Sequence, residues 1–282
     1  MFQVFVYGTL LPGQSNHRLI EQYVVHHQHG QVGAILFDNG FYPYAILSQN
    51  HVTLGEWLSF RGEDGKTVMH LLDQLEGYRG QGDENHYHRV TVRDREQSIE
   101  GFMYVIEPDS PLGQEIVQHH AVIVSGDWND RHESLYFAYG SCMVRESFLS
   151  TCPDATWYGI GELHHHRVIF ATNHYRIAPS GVATVIRDEK EKTLGVLWRI
   201  TFHDLSALRR REGAPFVYSE MRGYVFATIT LKDGVSLQVK VPVLYYLLNE
   251  PWVERKPTKE YLAMVESGRK GWLKVIKSTI DG

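Results

Sequence analysis

One short phrase occurs twice in this chain, and that repetition limits what it can fold into. Phe5-Val6-Tyr7-Gly8-Thr9-Leu10, near the start, returns as Phe137-Ala138-Tyr139-Gly140-Ser141-Cys142. A second phrase repeats in step. Leu75-Glu76-Gly77 closes a helix-like stretch in the first half, and Arg211-Glu212-Gly213 closes one in the second. Tyr7 and Glu76 lie 69 positions apart, Tyr139 and Glu212 73. Two elements kept in order at nearly equal separation indicate a duplicated domain. What repeats is a tight turn followed, half a domain later, by one carboxylate, which is the pattern of a site.

At 282 residues the chain accommodates two domains of ordinary size, each able to bury its own core. The expected boundaries are 1–130 and 131–282, divided in the aperiodic polar stretch Ser125 to Glu133. With 43% hydrophobic and 22% charged residues the composition is that of a globular protein. A net charge of −5 provides no dominant basic field for phosphates and argues against a nucleic-acid partner. No apolar run approaches the ~20 residues that span a bilayer, so no membrane association is expected. The sequence opens directly on a strand-like Phe2 to Tyr7, without a signal peptide. Two cysteines, Cys142 and Cys152, make no disulfide framework, which fits a reducing cytoplasm.

Strand patterns are expected at Val4 to Tyr7, Val52 to Phe60, Tyr87 to Val92 and Gly101 to Ile106, with turn chemistry at Asp38-Asn39-Gly40. Val68, Leu71, Leu72 and Leu75 recur at helical spacing, and Gly77 is placed to stop that helix. A shorter helix is expected around Glu115 to His119. The second half replays the order: strand Leu135 to Tyr139, helix Val144 to Leu149, and strands Val182 to Ile186 and Leu194 to Ile200. The charged run Arg187 to Lys192 is read as the solvated tip between those two strands. Asp204 is expected to cap a helix carrying Leu205, Leu208 and Glu212. Strands Tyr224 to Leu231 and Leu237 to Val243 follow, then a last helix with Leu262 and Val265 inward. Strands outnumber helices without strict βαβ rotation, so each half is α+β, a mixed, curled or barrel-like sheet flanked by helices.

A strand ending in Tyr-Gly-Ser/Thr is where backbone can approach a ligand. Glycine removes the Cβ, and the N–H groups of such a turn form an anion-binding concavity. Found twice at a matched distance from a Glu-Gly pair, the turn is far more specific than either copy alone. Read blandly, Glu76 and Glu212 are exposed residues at helix ends, and the repeat is what outweighs that reading. Cys142 lacks a legible Cys–His arrangement and reads as a packing residue. His26-His27-Gln28-His29 and His164-His165-His166 suggest metal ligands. Neighbours in a strand face opposite ways, however, and no carboxylate or cysteine spacing completes a site, so neither metal nor cofactor is expected. Tyr42, Tyr44, Tyr245 and Tyr246 read as core or strand aromatics.

Val4 to Leu10 resembles the opening of the AIG2-like branch of the γ-glutamylcyclotransferase superfamily, and Tyr136 to Ser141 the opening of the γ-glutamylcyclotransferases proper. Gly40 to Pro43, Leu54 to Glu56, Leu72 to Gly77 and Tyr87 to Arg89 fall in family order in the first half. Leu194 to Trp198, Leu208 to Gly213, Tyr218 and Pro257 to Tyr261 do so in the second. The resemblance implies two tandem γ-glutamylcyclotransferase-like domains, AIG2-like or γ-glutamylamine cyclotransferase-like at 1–130 and γ-glutamylcyclotransferase-like at 131–282. It implies release of 5-oxoproline from a small γ-glutamyl substrate, whose α-amine attacks its own γ-carbonyl. Closing that ring is intramolecular, so holding the reactive conformer removes much of the barrier.

The resemblance assigns the general base to Glu76 and Glu212. An ordinary Glu titrates near ~4.3 and an α-amine near ~7.7–8.0, so the base needs burial to raise its pKa. Substrate binding falls by resemblance to Tyr7, Gly8, Thr9, Leu10, Tyr136, Phe137, Ala138, Tyr139, Gly140 and Ser141, and to Tyr261 near the C-terminus. Two departures stand out: Cys142 replaces the usual Asn, and Arg209-Arg210-Arg211 would lower the pKa of Glu212. The second half matches the cyclotransferases proper at more points and is expected to carry the turnover. The leaving group, the oligomeric state and whether both sites act stay open. A non-catalytic sensor or scaffold, with one or both sites degenerate, is the alternative.

Overall fold

In the computed structural model, which describes residues 1–176, 180–231 and 234–280, the first phrase of the repeat forms a central strand. The first half runs β1 (Phe2–Val6), β2 (Val24–Val32), β3 (Ala34–Asp38), β4 (Pro43–Leu47), β5 (Thr53–Phe60), α1 (Gly65–Glu76), β6 (His88–Arg93), β7 (Glu100–Val105), α2 (Pro111–His119) and β8 (Ala121–Val122). The second runs β9 (Leu135–Ala138), α3 (Arg145–Leu149), β10 (Thr156–Asn173), β11 (Val182–Arg199), α4 (Phe202–Glu212), β12 (Tyr218–Thr230), β13 (Ser236–Leu248), β14 (Trp252–Glu254) and α5 (Lys259–Ile280). Parallel and antiparallel pairs mix in the sheets, and the class is α+β. The chain divides into two compact units, one of residues 1–133 with 229–240, the other of residues 134–228 with the chain from 241 onward.

In the first unit β1 lies third in a five-stranded sheet ordered β2-β5-β1-β7-β6. It is antiparallel to β5, from Phe2 opposite Phe60 to Val6 opposite Glu56, and parallel to β7 at Val4 and Phe102. Val4, Phe5 and Val6 are all buried, so the strand reads as an unbroken apolar run, as a strand covered on both faces must. Val68 and Leu72 seat α1, and Gly77 ends it at φ 66°, a left-handed conformation glycine adopts without penalty.

The second unit repeats this arrangement. β9 is antiparallel to β11, with Tyr136 opposite Trp198, and parallel to β13, with Tyr136 opposite Leu244. α4 stops at Gly213, again at φ 66°. Tyr136, Phe148, Trp198, Leu208, Tyr246 and Val265 belong to its core.

The structure corrects four expectations. No strand with bounds is expected over Thr156 to Asn173, where β10 runs. Arg187 to Lys192 is no hairpin tip but part of β11, which runs on for 18 residues. There His166 faces Arg187 and His164 faces Lys192, so a bulge accommodates the extra residues. The first unit instead breaks the corresponding long strands into β2 and β3, and β4 and β5. Thr201, not Asp204, caps α4. The Thr201 hydroxyl accepts from Asp204 N and the Asp204 carboxylate accepts from Thr201 N, at 3.0 and 3.1 Å, a reciprocal box read from the wrong end. Leu262 is 36% exposed, and Val265 alone of that pair turns into the core.

Gly55 and Gly195 occupy the same place in the two units, opposite the end of the central strand. A Cβ there would lie 2.2 Å from the Val6 carbonyl oxygen or 2.5 Å from that of Ala138. Gly55→Ala and Gly195→Ala are each expected to cost about 1–3 kcal/mol in a denaturant titration. Gly159→Ala, which meets nothing within 4 Å, should leave the midpoint unchanged.

Candidate active site

In the first unit the Tyr7–Gly8 turn and Glu76 line one cavity of about 250 Å³. The Tyr7 hydroxyl donates to the Tyr104 carbonyl on β7 at 2.7 Å, which fixes the end of β1. Beyond it every turn carbonyl is taken: Gly8 O by Leu11 N at 3.0 Å, Thr9 O by Asn16 N at 2.9 Å, and Leu10 O by His17 Nδ1 at 2.8 Å. Among the described residues no acceptor pairs with the amides of Gly8, Thr9 and Leu10, which line the cavity. A turn with occupied carbonyls and open N–H groups is a positive concavity suited to a carboxylate or a developing oxyanion. Gly8 is required here, since a Cβ would come within 2.6 Å of the Pro43 ring.

Glu76 is the last residue of α1, and burial pushes its carboxyl up to about 7. Tyr87 and Tyr104 complete the wall, together with Tyr42 and His86. The Tyr87 hydroxyl is held by the Pro43 carbonyl at 3.0 Å. Among the described residues neither a lysine nor an arginine lines this cavity.

The second unit builds the same constellation from Tyr136, Tyr139, Gly140, Ser141, Glu212 and Tyr261. The Tyr139 hydroxyl donates to the Tyr246 carbonyl on β13. The carbonyls of Gly140, Ser141 and Cys142 accept from Met143 N, Val144 N and Trp198 Nε1, at 3.1, 3.1 and 3.2 Å. Their amides again find no acceptor among the described residues. The Tyr218 hydroxyl donates to the Ala183 carbonyl at 2.9 Å, as Tyr87 does to Pro43. Tyr261, from α5, accepts from Ala183 N at 3.2 Å and stands over Gly140. The space left is about 30 Å³, the room of a single water.

Phe137 and Ala138 do not reach the cavity. Neither is among the residues that line it, and both are buried in the sheet that carries the turn. Of the arginines before Glu212, Arg211 lowers its carboxyl as expected, although the guanidinium groups of Arg209 and Arg211 are bonded elsewhere. Arg209 turns away to Glu220, and Arg211 to Ser147 O at 2.6 Å and Thr151 Oγ1 at 2.8 Å. Burial raises the Glu212 carboxyl, opposed in part by the Cys142 thiol and the charges of Arg211 and Arg176.

Sequence reasoning missed that thiol, which donates to Glu212 Oε1 at 3.5 Å. Burial and the nearby carboxylate push it up to about 12, so it is a neutral donor and not a thiolate. Tyr104 and Tyr246 were also missed, although both stand on the strand parallel to the central one. Among the described residues no group of three His, Cys, Asp or Glu side chains is arranged to hold a metal, and no helix is long and apolar enough to cross a membrane.

Residues 4–130 match the family model for gamma-glutamyl cyclotransferase, AIG2-like. The gamma-L-glutamyl-butirosin B gamma-glutamyl cyclotransferase of Niallia circulans is 30% identical over 115 residues, 40% of this chain and 71% of that protein. Gamma-glutamylcyclotransferase of Bos taurus is 26% identical over 144 residues, 50% of this chain and 72% of that protein. Bacillus subtilis YkqA is 27% identical over 282 residues, 96% of this chain and 92% of that protein. The chain belongs to the γ-glutamylcyclotransferase family and is an enzyme of that type.

The raised carboxyl has a consequence for stability. Glu76 ionises near its ordinary 4.5 when unfolded but near 7 when folded, so the unfolded state releases its proton first. The penalty is absent below pH 4.5, grows between 4.5 and 7 and is complete above. Glu76→Gln should therefore raise stability at pH 8 by on the order of 1–3 kcal/mol, with no gain at pH 4, as read by thermal melting at the two pH values.

Proposed function

We propose that the first unit releases 5-oxoproline from γ-glutamyl compounds, with Glu76 as general base. The observation that carries this reading is a buried carboxyl titrating near 7 across one cavity from a turn of open amides. Glu76 takes a proton from the substrate's α-ammonium, and the freed amine attacks the γ-carbonyl. The new N–C bond closes the five-membered ring, the protonated Glu76 gives its proton to the departing nitrogen as that C–N bond breaks, and the second proton of the attacking nitrogen passes by way of the freed Glu76 carboxylate to the departing amine, which leaves as an ammonium. No water enters the balance. The amides of Gly8, Thr9 and Leu10 receive the substrate's carboxylate or the oxygen that gains charge in the transition state.

Glu212, Tyr261 and the Tyr139 turn form the matching apparatus of the second unit. Its cavity is too small for a γ-glutamyl group while Tyr261 stands over Gly140, and this favours the first unit for turnover over the second. Turnover at Glu212 requires Tyr261 to withdraw. A second unit that never opens is a scaffold.

The intact chain, assayed for 5-oxoproline release from a panel of γ-glutamyl amines, amino acids and peptides, tests this. The rate should rise with pH to a plateau above about 7, following ionisation of Glu76. Glu76→Gln should lower kcat by about 10²–10⁴-fold with KM little changed. Glu212→Gln alone should leave most of the activity in place. Parent activity in Glu76→Gln would transfer the chemistry to Glu212 or to neither.

A further inference from the structure

The two units share one more element, and it is written in opposite charges. Three residues before the glutamate, on the same helix, stands Asp73 in the first unit and Arg209 in the second. Two residues after the equivalent tyrosines Tyr87 and Tyr218 stand Arg89 and Glu220. Arg89 Nη1 donates to both Asp73 oxygens at 2.8 Å. Arg209 reaches Glu220 through Nε at 2.7 Å and Nη2 at 3.0 Å. The acid is on the helix in one unit and on the strand in the other. A charge needed to bind a ligand would keep its sign in both copies, whereas a charge needed only for its partner can be exchanged with it.

We infer that Asp73–Arg89 and Arg209–Glu220 are positioning clamps, each holding the last turn of the glutamate-bearing helix against the strand beside it and thereby setting the carboxyl's distance from the Tyr-Gly turn. In the first unit the contacts run without a break. The Tyr104 hydroxyl donates to Asp73 Oδ1 at 2.7 Å, and the Tyr104 carbonyl accepts the Tyr7 hydroxyl at 2.7 Å. The Arg89 guanidinium also lies over the rings of Tyr78 and Phe102, 4.8 and 5.5 Å from their centres. Both members of the pair are only 25% exposed, so water screens the attraction incompletely. Asp73 and Arg89 are not among the residues that line the cavity, and the role assigned to them rests on Glu76 being the base.

Reversing one charge puts like against like, and reversing both restores the attraction with the polarity of the second unit. Asp73→Arg, Arg89→Asp and the double variant, each made in the full chain, should be compared with the parent in two ways. One is kcat and KM for 5-oxoproline release; the other is titration of the Glu76 carboxyl by carbon-13 NMR. Each single reversal should lower kcat by about 10–10²-fold with less effect on KM, and move the Glu76 titration down as water enters. The double variant should recover most of both, short of the part lost when the Tyr104 hydroxyl loses its acceptor. If a reversal does not fold, Asp73→Asn removes the attraction without adding repulsion and should move both readouts in the same direction.

A double variant no better than the singles would overturn the clamp. So would single variants that melt earlier while kcat and the Glu76 titration stay put, since that is a purely structural pair. If the parent releases no 5-oxoproline from any compound, the assignment of Glu76 as base fails, while the titration still decides whether the pair positions it.

Discussion

A strand that stops inside a sheet leaves its last peptide groups without a ladder, and in both units one tyrosine hydroxyl deals with that end. Tyr7 is tied to the carbonyl of Tyr104, Tyr139 to that of Tyr246. With the strand end held, the three residues that follow give their carbonyls to neighbouring donors, and among the described residues their amides find no acceptor. The polarity of the cavity follows from this division, because a turn that satisfied its amides first would present acceptors and repel a carboxylate. The glycine opposite, Gly55 or Gly195, is needed because the neighbouring strand runs so close to that same end.

The glutamate answers to opposing demands. It must be dry enough to hold a proton near neutral pH, yet a carboxyl taken out of water costs stability once it ionises. In the first unit burial acts almost alone, and the cavity is roomy. In the second a thiol and two guanidinium groups pull the carboxyl partly back, and an aromatic ring fills the space. The two copies keep one backbone plan and place it in different electrostatic surroundings.

The parts of this plan that local chemistry dictates were legible in the sequence. Gly77 and Gly213 mark helix ends because a positive φ is needed there, and Val4 to Val6 read as a strand because both of its faces are covered. β10 escaped because its bulge at His164 to His166 throws the two-residue alternation out of phase midway, so neither segment looks long enough to be a strand. The site was legible only where the repeat marked it. The tie from Tyr7 to Tyr104 spans 97 residues, and the Cys142 to Glu212 contact spans 70, distances that no local pattern encodes. Phe137 and Ala138 entered the expected site by resemblance, and they are not among the residues that line the second cavity.

Duplicated domains in one chain carry a hazard, because each copy's helix is a near-fit for the other copy's sheet while both are still folding. The reversed ion pairs bear on that hazard. Were α1 to settle on the sheet of the second unit, Asp73 would meet Glu220; were α4 to settle on that of the first, Arg209 would meet Arg89. Either exchange sets like charges together in a partly covered place, so the polarity of a single ion pair labels each helix with the sheet it belongs to.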